Sequence, residues 1–206
     1  MGRWEPGARE RLREAALELF TDRGYEQTTV ADIAQRAGVT ARTFFRHFAD
    51  KREVLFDGSA DLAKQVRDVV ETTPPTASAL DVVAAVLDAI ARLTGDDRER
   101  ARARQAVITA NTDLRERELI KQAALTAALT DALRQRDVAD TEAGLAAEIG
   151  SAVFRVAFSQ WGHATDGRDL RDVVRETLTR LRLLTSAETG RPARGGVGNG
   201  SITDHA

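Results

Sequence analysis

Thr29-Val30-Ala31-Asp32-Ile33-Ala34-Gln35-Arg36-Ala37-Gly38-Val39-Thr40-Ala41-Arg42-Thr43-Phe44-Phe45-Arg46-His47-Phe48 holds two short helices and the turn between them. Thr29 and Asp32 have the spacing of a capping box, in which a hydroxyl accepts from a backbone N–H and an acid three residues on answers it. A helix that starts there runs to about Ala37. Gly38 supplies the sharp turn, because glycine alone enters positive φ without steric cost. Thr40 can cap the next helix, Ala41 to Phe48. Two short helices joined by a glycine-containing turn describe a helix-turn-helix. The second helix of such a pair lies in the DNA major groove. Phe44 and Phe48, four apart, share a face and should pack under the preceding helix. Arg42, Thr43 and Arg46 fall on or near the opposite face.

Upstream, Leu12, Ala15, Ala16, Leu19 and Phe20 recur at helical spacing over Ala8 to Phe20, and Gly24 stops that helix. Downstream, Asp50 and Glu53 form a box-like start for a fourth helix, predicted from Lys51 to about Val70, with Gly58-Ser59 as a weak point inside it. Thr72-Thr73-Pro74-Pro75-Thr76 breaks the pattern. Helices are then predicted over Ala79–Leu93, Asp97–Thr109, Leu114–Arg136, Glu142–Trp161 and Leu170–Leu184. No strand pattern and no internal repeat is evident. The fold class expected is all-α, with about nine helices. A three-helix DNA-binding domain (residues 1–55) is joined by the fourth helix to a helical bundle (56–186), and a glycine-rich tail (187–206) is expected to be disordered.

Composition narrows the function. The chain has 206 residues, 42% hydrophobic and 30% charged, and no cysteine. That excludes a disulfide scaffold and thiolate metal sites. No apolar run is long enough to span a bilayer, and the N-terminus lacks the apolar core of a signal peptide, so a cytoplasmic location is expected. Net charge is only −2, yet Arg36, Arg42, Arg46, Lys51 and Arg52 meet a single acid, Asp50, between residues 36 and 52. Cations of this kind neutralise phosphates; a solvated helix face carries the same pattern.

The candidate DNA contacts are Thr29, Thr40, Arg42, Thr43, Phe45, Arg46, His47 and Lys51. Arg42, in the first turn of its helix, can pair in bidentate fashion with guanine O6 and N7. Thr40, Thr43 and Lys51 suit phosphates, which fix position without reading sequence.

The stretch Arg11 to Leu55 resembles the DNA-binding domain of the tetracycline-repressor (TetR) family. The residues that carry this are Ala16-Leu17-Glu18-Leu19-Phe20, Gly24-Tyr25, Thr28-Thr29-Val30, Ile33-Ala34, Ala37-Gly38-Val39, Phe44-Phe45-Arg46-His47-Phe48 and Lys51-Arg52-Glu53-Val54-Leu55. The resemblance implies three N-terminal helices, a connecting fourth, and a helical domain for effector binding and dimerisation. It also implies a phosphate contact at His47, which is otherwise a solvated surface histidine. Phe45 departs from the family's usual tyrosine and cannot donate an O–H to phosphate, though its ring can meet sugar or a thymine methyl.

In the second half, the helix from Glu142 to Trp161 is apolar over most of its circumference, with Glu148, Ser151, Arg155 and Ser159 as a narrow polar stripe. Such a helix must be buried from two directions. Ile149, Val153 and Val156, with Val174, Leu178 and Leu181 of the last helix, are therefore expected at a homodimer interface. Phe154, Phe158 and Trp161 cluster; they line an effector pocket or simply fill the core. Arg102, Arg104 and Asn111 either orient a ligand or lie on the surface. By vague resemblance to TetR effector domains, the effector is an acyl-coenzyme A or another apolar metabolite.

The function expected is a homodimeric repressor that binds a near-palindromic double-stranded operator and leaves it on binding effector. Two alternatives stay open: an activator, or a helical protein-interaction module without effector control. An enzyme is not expected, since His47, His163 and His205 are far apart and no nucleophile–base grouping appears. Gly195-Gly196-Val197-Gly198-Asn199-Gly200 follows no strand and opens no helix, so it fails as a nucleotide loop. No metal and no cofactor is expected.

Overall fold

The computed structural model describes residues 7–95 and 97–188. Among them are nine α-helices: α1 (Ala8–Arg23), α2 (Val30–Arg36), α3 (Ala41–His47), α4 (Ser59–Thr72), α5 (Ala79–Thr94), α6 (Arg98–Ala110), α7 (Thr112–Arg134), α8 (Asp140–His163) and α9 (Leu170–Glu188). The fold is all-α, as the periodicity predicts, and most helix limits agree within two residues. None of the helices is long and apolar enough to cross a membrane. The tail expected to be disordered lies outside the described residues from 189 on; Ala187 and Glu188 still belong to α9.

Two apolar cores hold the chain together. The first is built on α1 to α3, from Leu12, Phe20, Ile33, Phe44 and Phe48, with Val54, Leu55 and Phe56 beneath them. It also takes in Val107 and Ile108 of α6 and Leu114 of α7. The second core joins α4, α5, α7, α8 and α9 around Val83, Val86, Leu133, Ala147, Trp161 and Leu170. Small residues on α8 (Ala143, Ala146, Ala147, Gly150, Ala157) let its neighbours approach closely.

The fourth helix is the main departure from the sequence reading. It begins at Ser59, not Lys51. Residues Glu53–Phe56 form a separate 3-10 turn. The box-like pair is real but caps that turn: Asp50 Oδ1 accepts from the backbone N–H of Arg52 at 2.8 Å and of Glu53 at 3.1 Å. Gly58 then turns left-handed at φ 83°, a conformation L side chains rarely adopt, and becomes the N-cap of α4. The expected weak point inside a helix is thus a boundary. The carboxylate of Asp57 fixes the break from outside. It accepts from Arg9 Nε at 3.0 Å and lies 3.6 Å from Arg13 Nε, both on α1. At its other end α4 is tied to the residues just beyond α7. Arg136 donates to the carbonyls of Val70 and Thr73 at 2.8 Å and Pro74 at 2.6 Å, a favourable place for a cation at a helix C-terminus.

Candidate nucleic-acid interface

The outer surface of α3 is assembled by local capping. Thr29 caps α2: its Oγ1 accepts from Asp32 N at 3.2 Å, while its own N–H donates to Asp32 Oδ2 at 2.9 Å. The Thr29 hydrogen bonds hold the Asp32 carboxyl below its ordinary pKa. Gly38, at φ 68°, turns the chain between the two helices. Arg11 of α1 donates from Nε to the carbonyl of Ala37 at 3.1 Å and so satisfies the end of α2. Thr40 then caps α3 by accepting from Thr43 N at 3.2 Å, and the two hydroxyls lie 3.1 Å apart. Phe44 is fully buried and Phe48 nearly so, their rings 5.3 Å apart. The face expected inward is inward, which fixes the opposite face as the outer one.

That outer face carries Arg42, Phe45 and Arg46, all exposed. Neither arginine has a hydrogen-bond or ionic partner among the described residues. The other cations of the run are occupied. Arg36 pairs with Glu18 at 2.7 Å and Arg52 with Asp50 at 2.8 Å. Lys51, assigned to phosphate from its position, points its ammonium inward. It donates to the carbonyls of Tyr25 at 2.7 Å and Thr28 at 3.0 Å and lies 4.0 Å from the Tyr25 ring centroid. Burial pushes the Tyr25 hydroxyl up to about 12, so this tyrosine stays neutral beside the lysine. His47 is half-buried, and its Nε2 has no partner. Thr29, Thr40, Arg42, Thr43, Phe45, Arg46 and His47 are brought together on α2 and α3; Lys51 sits behind them as an internal tie.

Of the residues expected in an effector pocket, Phe154, Phe158 and Trp161 lie together with Arg102 at the end of α8, and Asn111 stands apart. Trp161 is a core residue at 2% exposure, its Nε1 donating to the Arg168 carbonyl at 3.1 Å and the Arg98 guanidinium 5.0 Å from its ring centroid. Phe158 lies 5.7 Å from Trp161 and 5.9 Å from Phe154, both phenylalanines half-buried against the second core. Arg102 donates to the carbonyls of Gly162 and Ala164 at the end of α8, the latter at 2.7 Å. Asn111 donates to Val107 O at 2.7 Å. It lies nine residues beyond Arg102, about 13 Å along a helix. A broad depression lies elsewhere. It is an open groove of about 590 Å³ between α4, α5 and α9, lined by Val69, Ala84, Ala89, Val174 and Leu178 among others.

The residues expected at a dimer interface divide likewise. Val153, Val174 and Leu178 are buried in the chain's own core, while Ile149 and Leu181 are half-buried. Val156 is 45% exposed, and with it on α8 and α9 stand Leu145, Leu183 and Leu184 at 60–71%. The period of α8 revealed that two sides were apolar; it did not reveal which side the chain keeps for itself.

Sequence reasoning missed the contacts that seat α1 to α3 on the rest of the chain. Glu53 accepts from Arg117 Nε at 2.6 Å and Lys121 Nζ at 3.2 Å, both on α7. Arg104 of α6 donates to Leu55 O at 2.8 Å, and Arg100 pairs with Glu10 at 3.1 Å. These partners are far apart in sequence, so no local pattern announces them.

Residues 12–57 match the family described as bacterial regulatory proteins, tetR family. This N-terminal segment is what the chain shares with the TetR family. The chain is 38% identical over 82 residues to the HTH-type transcriptional regulator TcmR of Streptomyces glaucescens, covering 40% of this chain and 36% of that protein. It is 41% identical over 66 residues to the transcriptional repressor KstR2 of Mycobacterium tuberculosis, covering 30% and 33%. The matched stretch therefore spans about a third of the length of these relatives. Over nearly the whole TetR fold, the chain is similar to FadR of Thermus thermophilus, a repressor solved with lauroyl-CoA. That likeness has a TM-score of 0.51 at 26% identity and covers 92% of this chain and 100% of that one. FadR of Bacillus subtilis, solved with stearoyl-CoA, shares the fold with a TM-score of 0.56 at 21% identity, covering 84% and 96%.

Proposed function

We propose that this chain is a homodimeric, sequence-specific DNA-binding regulator that represses transcription from a near-palindromic operator. One observation carries the reading: the outer face of α3 presents two partnerless arginines, Arg42 and Arg46, on a helix whose other face is locked in the core. Three other exposed arginines near them, Arg9, Arg36 and Arg52, are each paired to an acid. An unpaired pair on the helix that enters the groove is what base and phosphate recognition needs. Arg42→Ala is expected to cost roughly 1–3 kcal/mol of operator binding and to relax base choice at one position per half-site. Gel shift against a selected duplex and its point variants reads both. An unchanged sequence preference would remove Arg42 from the base-reading set.

Dimerisation is supported by the bare apolar residues Leu145, Val156, Leu183 and Leu184 on the two helices expected to pair. Val156→Asp is expected to convert the dimer to a folded monomer at micromolar concentration, because a charge buried without a partner is costly. Sedimentation velocity decides this, and a wild-type chain that sediments as a monomer would end the dimer reading.

The effector part rests on the neighbours. Two FadR structures hold acyl-coenzyme A. Carried to this chain, an acyl-coenzyme A or another apolar metabolite releases the operator by binding one conformation better than the other. Operator must then weaken effector binding by the same factor.

A further inference from the structure

Phe45 is a large apolar ring that the fold leaves bare. Phe44 of the same helix and Phe48, its C-cap, are 0% and 4% exposed; Phe45 is 58% exposed. It is nonetheless held. Its ring stands edge-on to Phe44 with centroids 5.5 Å apart and planes at 81°. Arg42 and Arg46 flank it on the same outer face, exposed and without partners among the described residues. A hydrocarbon surface between two guanidiniums is a poor match for the phosphate backbone, which offers acceptors only. It is a good match for a major-groove edge, where the apolar group is the thymine 5-methyl and guanine O6 and N7 are the acceptors an arginine takes. Spacing agrees. Phe45 lies three residues beyond Arg42, roughly 4.5 Å along the helix axis, comparable with the ~3.4 Å step between bases on one strand.

We propose that Phe45 is a specificity-determining residue that packs on the 5-methyl group of a thymine adjoining the guanine read by Arg42. The inference rests on the DNA-binding reading above and goes beyond it, since it assigns a base and an atom. Phenylalanine has no hydroxyl to give a phosphate. At this position the ring reads a methyl group and does not anchor the backbone.

The test uses the full-length protein and the duplex it selects from random DNA. Each thymine in a half-site is replaced singly by uracil, which removes the methyl group and leaves every hydrogen-bonding atom in place. Wild-type protein is expected to lose about fourfold in affinity at one thymine per half-site, the value of one buried methyl-sized group. Phe45→Ala, which alters an exposed side chain, is expected to bind the thymine and uracil duplexes equally. Phe45→Leu, which keeps an apolar surface, is expected to retain part of the discrimination. If wild type tolerates uracil everywhere, or Phe45→Ala discriminates as wild type does, the inference is overturned while the DNA-binding reading stands. If the protein selects no sequence at all, both fall together.

Discussion

Trp161→Ala is expected to destabilise the chain by about 3–5 kcal/mol, the range for deleting a buried aromatic side chain from a core. The indole is 2% exposed and packs among the α5, α8 and α9 residues of the second core. Its removal has two further consequences. The Arg168 carbonyl loses its indole N–H donor, and the Arg98 guanidinium loses the ring beneath it. Arg98 also donates to the carbonyls of Ala164 and Arg168, so the α8–α9 connection loosens with it. Urea denaturation of wild type and variant gives the difference directly. A loss below about 1 kcal/mol would mean that the site is hydrated or open in solution. It would return Trp161 to the pocket residues with which the sequence first grouped it.

Trp161 illustrates what the sequence makes legible. The clustering of Phe154, Phe158 and Trp161 on one helix is a local fact, visible at a spacing of three and four residues. Whether the cluster lines a cavity or fills a core depends on α5 and α9, and local spacing contains neither. The capping of α2 by Thr29 and Asp32, the turn at Gly38 and the inward set of Phe44 and Phe48 are all settled within a few residues, and each is found as expected. The start of α4 is not settled that way. Lys51 to Val70 contains good helix formers, and nothing local forbids a continuous helix except one glycine. The break is made by a contact 48 residues away, where Arg9 takes the Asp57 carboxylate. Lys51 follows the same rule. Its position just beyond α3 suggests phosphate, but the carbonyls of Tyr25 and Thr28 reach its ammonium first. Local chemistry was readable in this chain, and partners distant in sequence were not.

The seam between the two halves follows from this, and its ion pairs are the lesser part of it. Arg100–Glu10 is partly exposed, and pairs of that kind contribute up to about 1 kcal/mol. Glu53 with Arg117 and Lys121 is better enclosed. The larger share is apolar. Val107, Ile108 and Leu114, from the corner where α6 meets α7, are buried in the same cluster as Leu12, Phe20 and Phe44. Helices α1 to α3 therefore finish their core with side chains supplied more than fifty residues downstream of α3.

Ile108→Ala is accordingly expected to loosen α1 to α3, although the substitution lies in α6. Ile108 is 0% exposed, and shortening a fully buried isoleucine to alanine costs about 2–5 kcal/mol, set by how far the surroundings can collapse into the space. Collapse is restricted here. Val107 and Leu114 on either side are themselves buried, and the corner is closed by the Asn111 backbone N–H donating to Ile108 O at 3.1 Å. The loss should therefore appear on both sides of the seam. Hydrogen exchange followed peptide by peptide separates the possibilities, because exchange reports the opening free energy of each segment. If the halves share one core, the amides of α1 lose protection by a factor similar to those of α6, while those of α9, in the second core, change less. If the amides of α1 keep wild-type protection while α6 exchanges faster, α1 to α3 stand on Leu12, Phe20, Ile33, Phe44 and Phe48 alone. The α6–α7 corner would then be a passenger, and movements of that corner would not reach the spacing or tilt of α3.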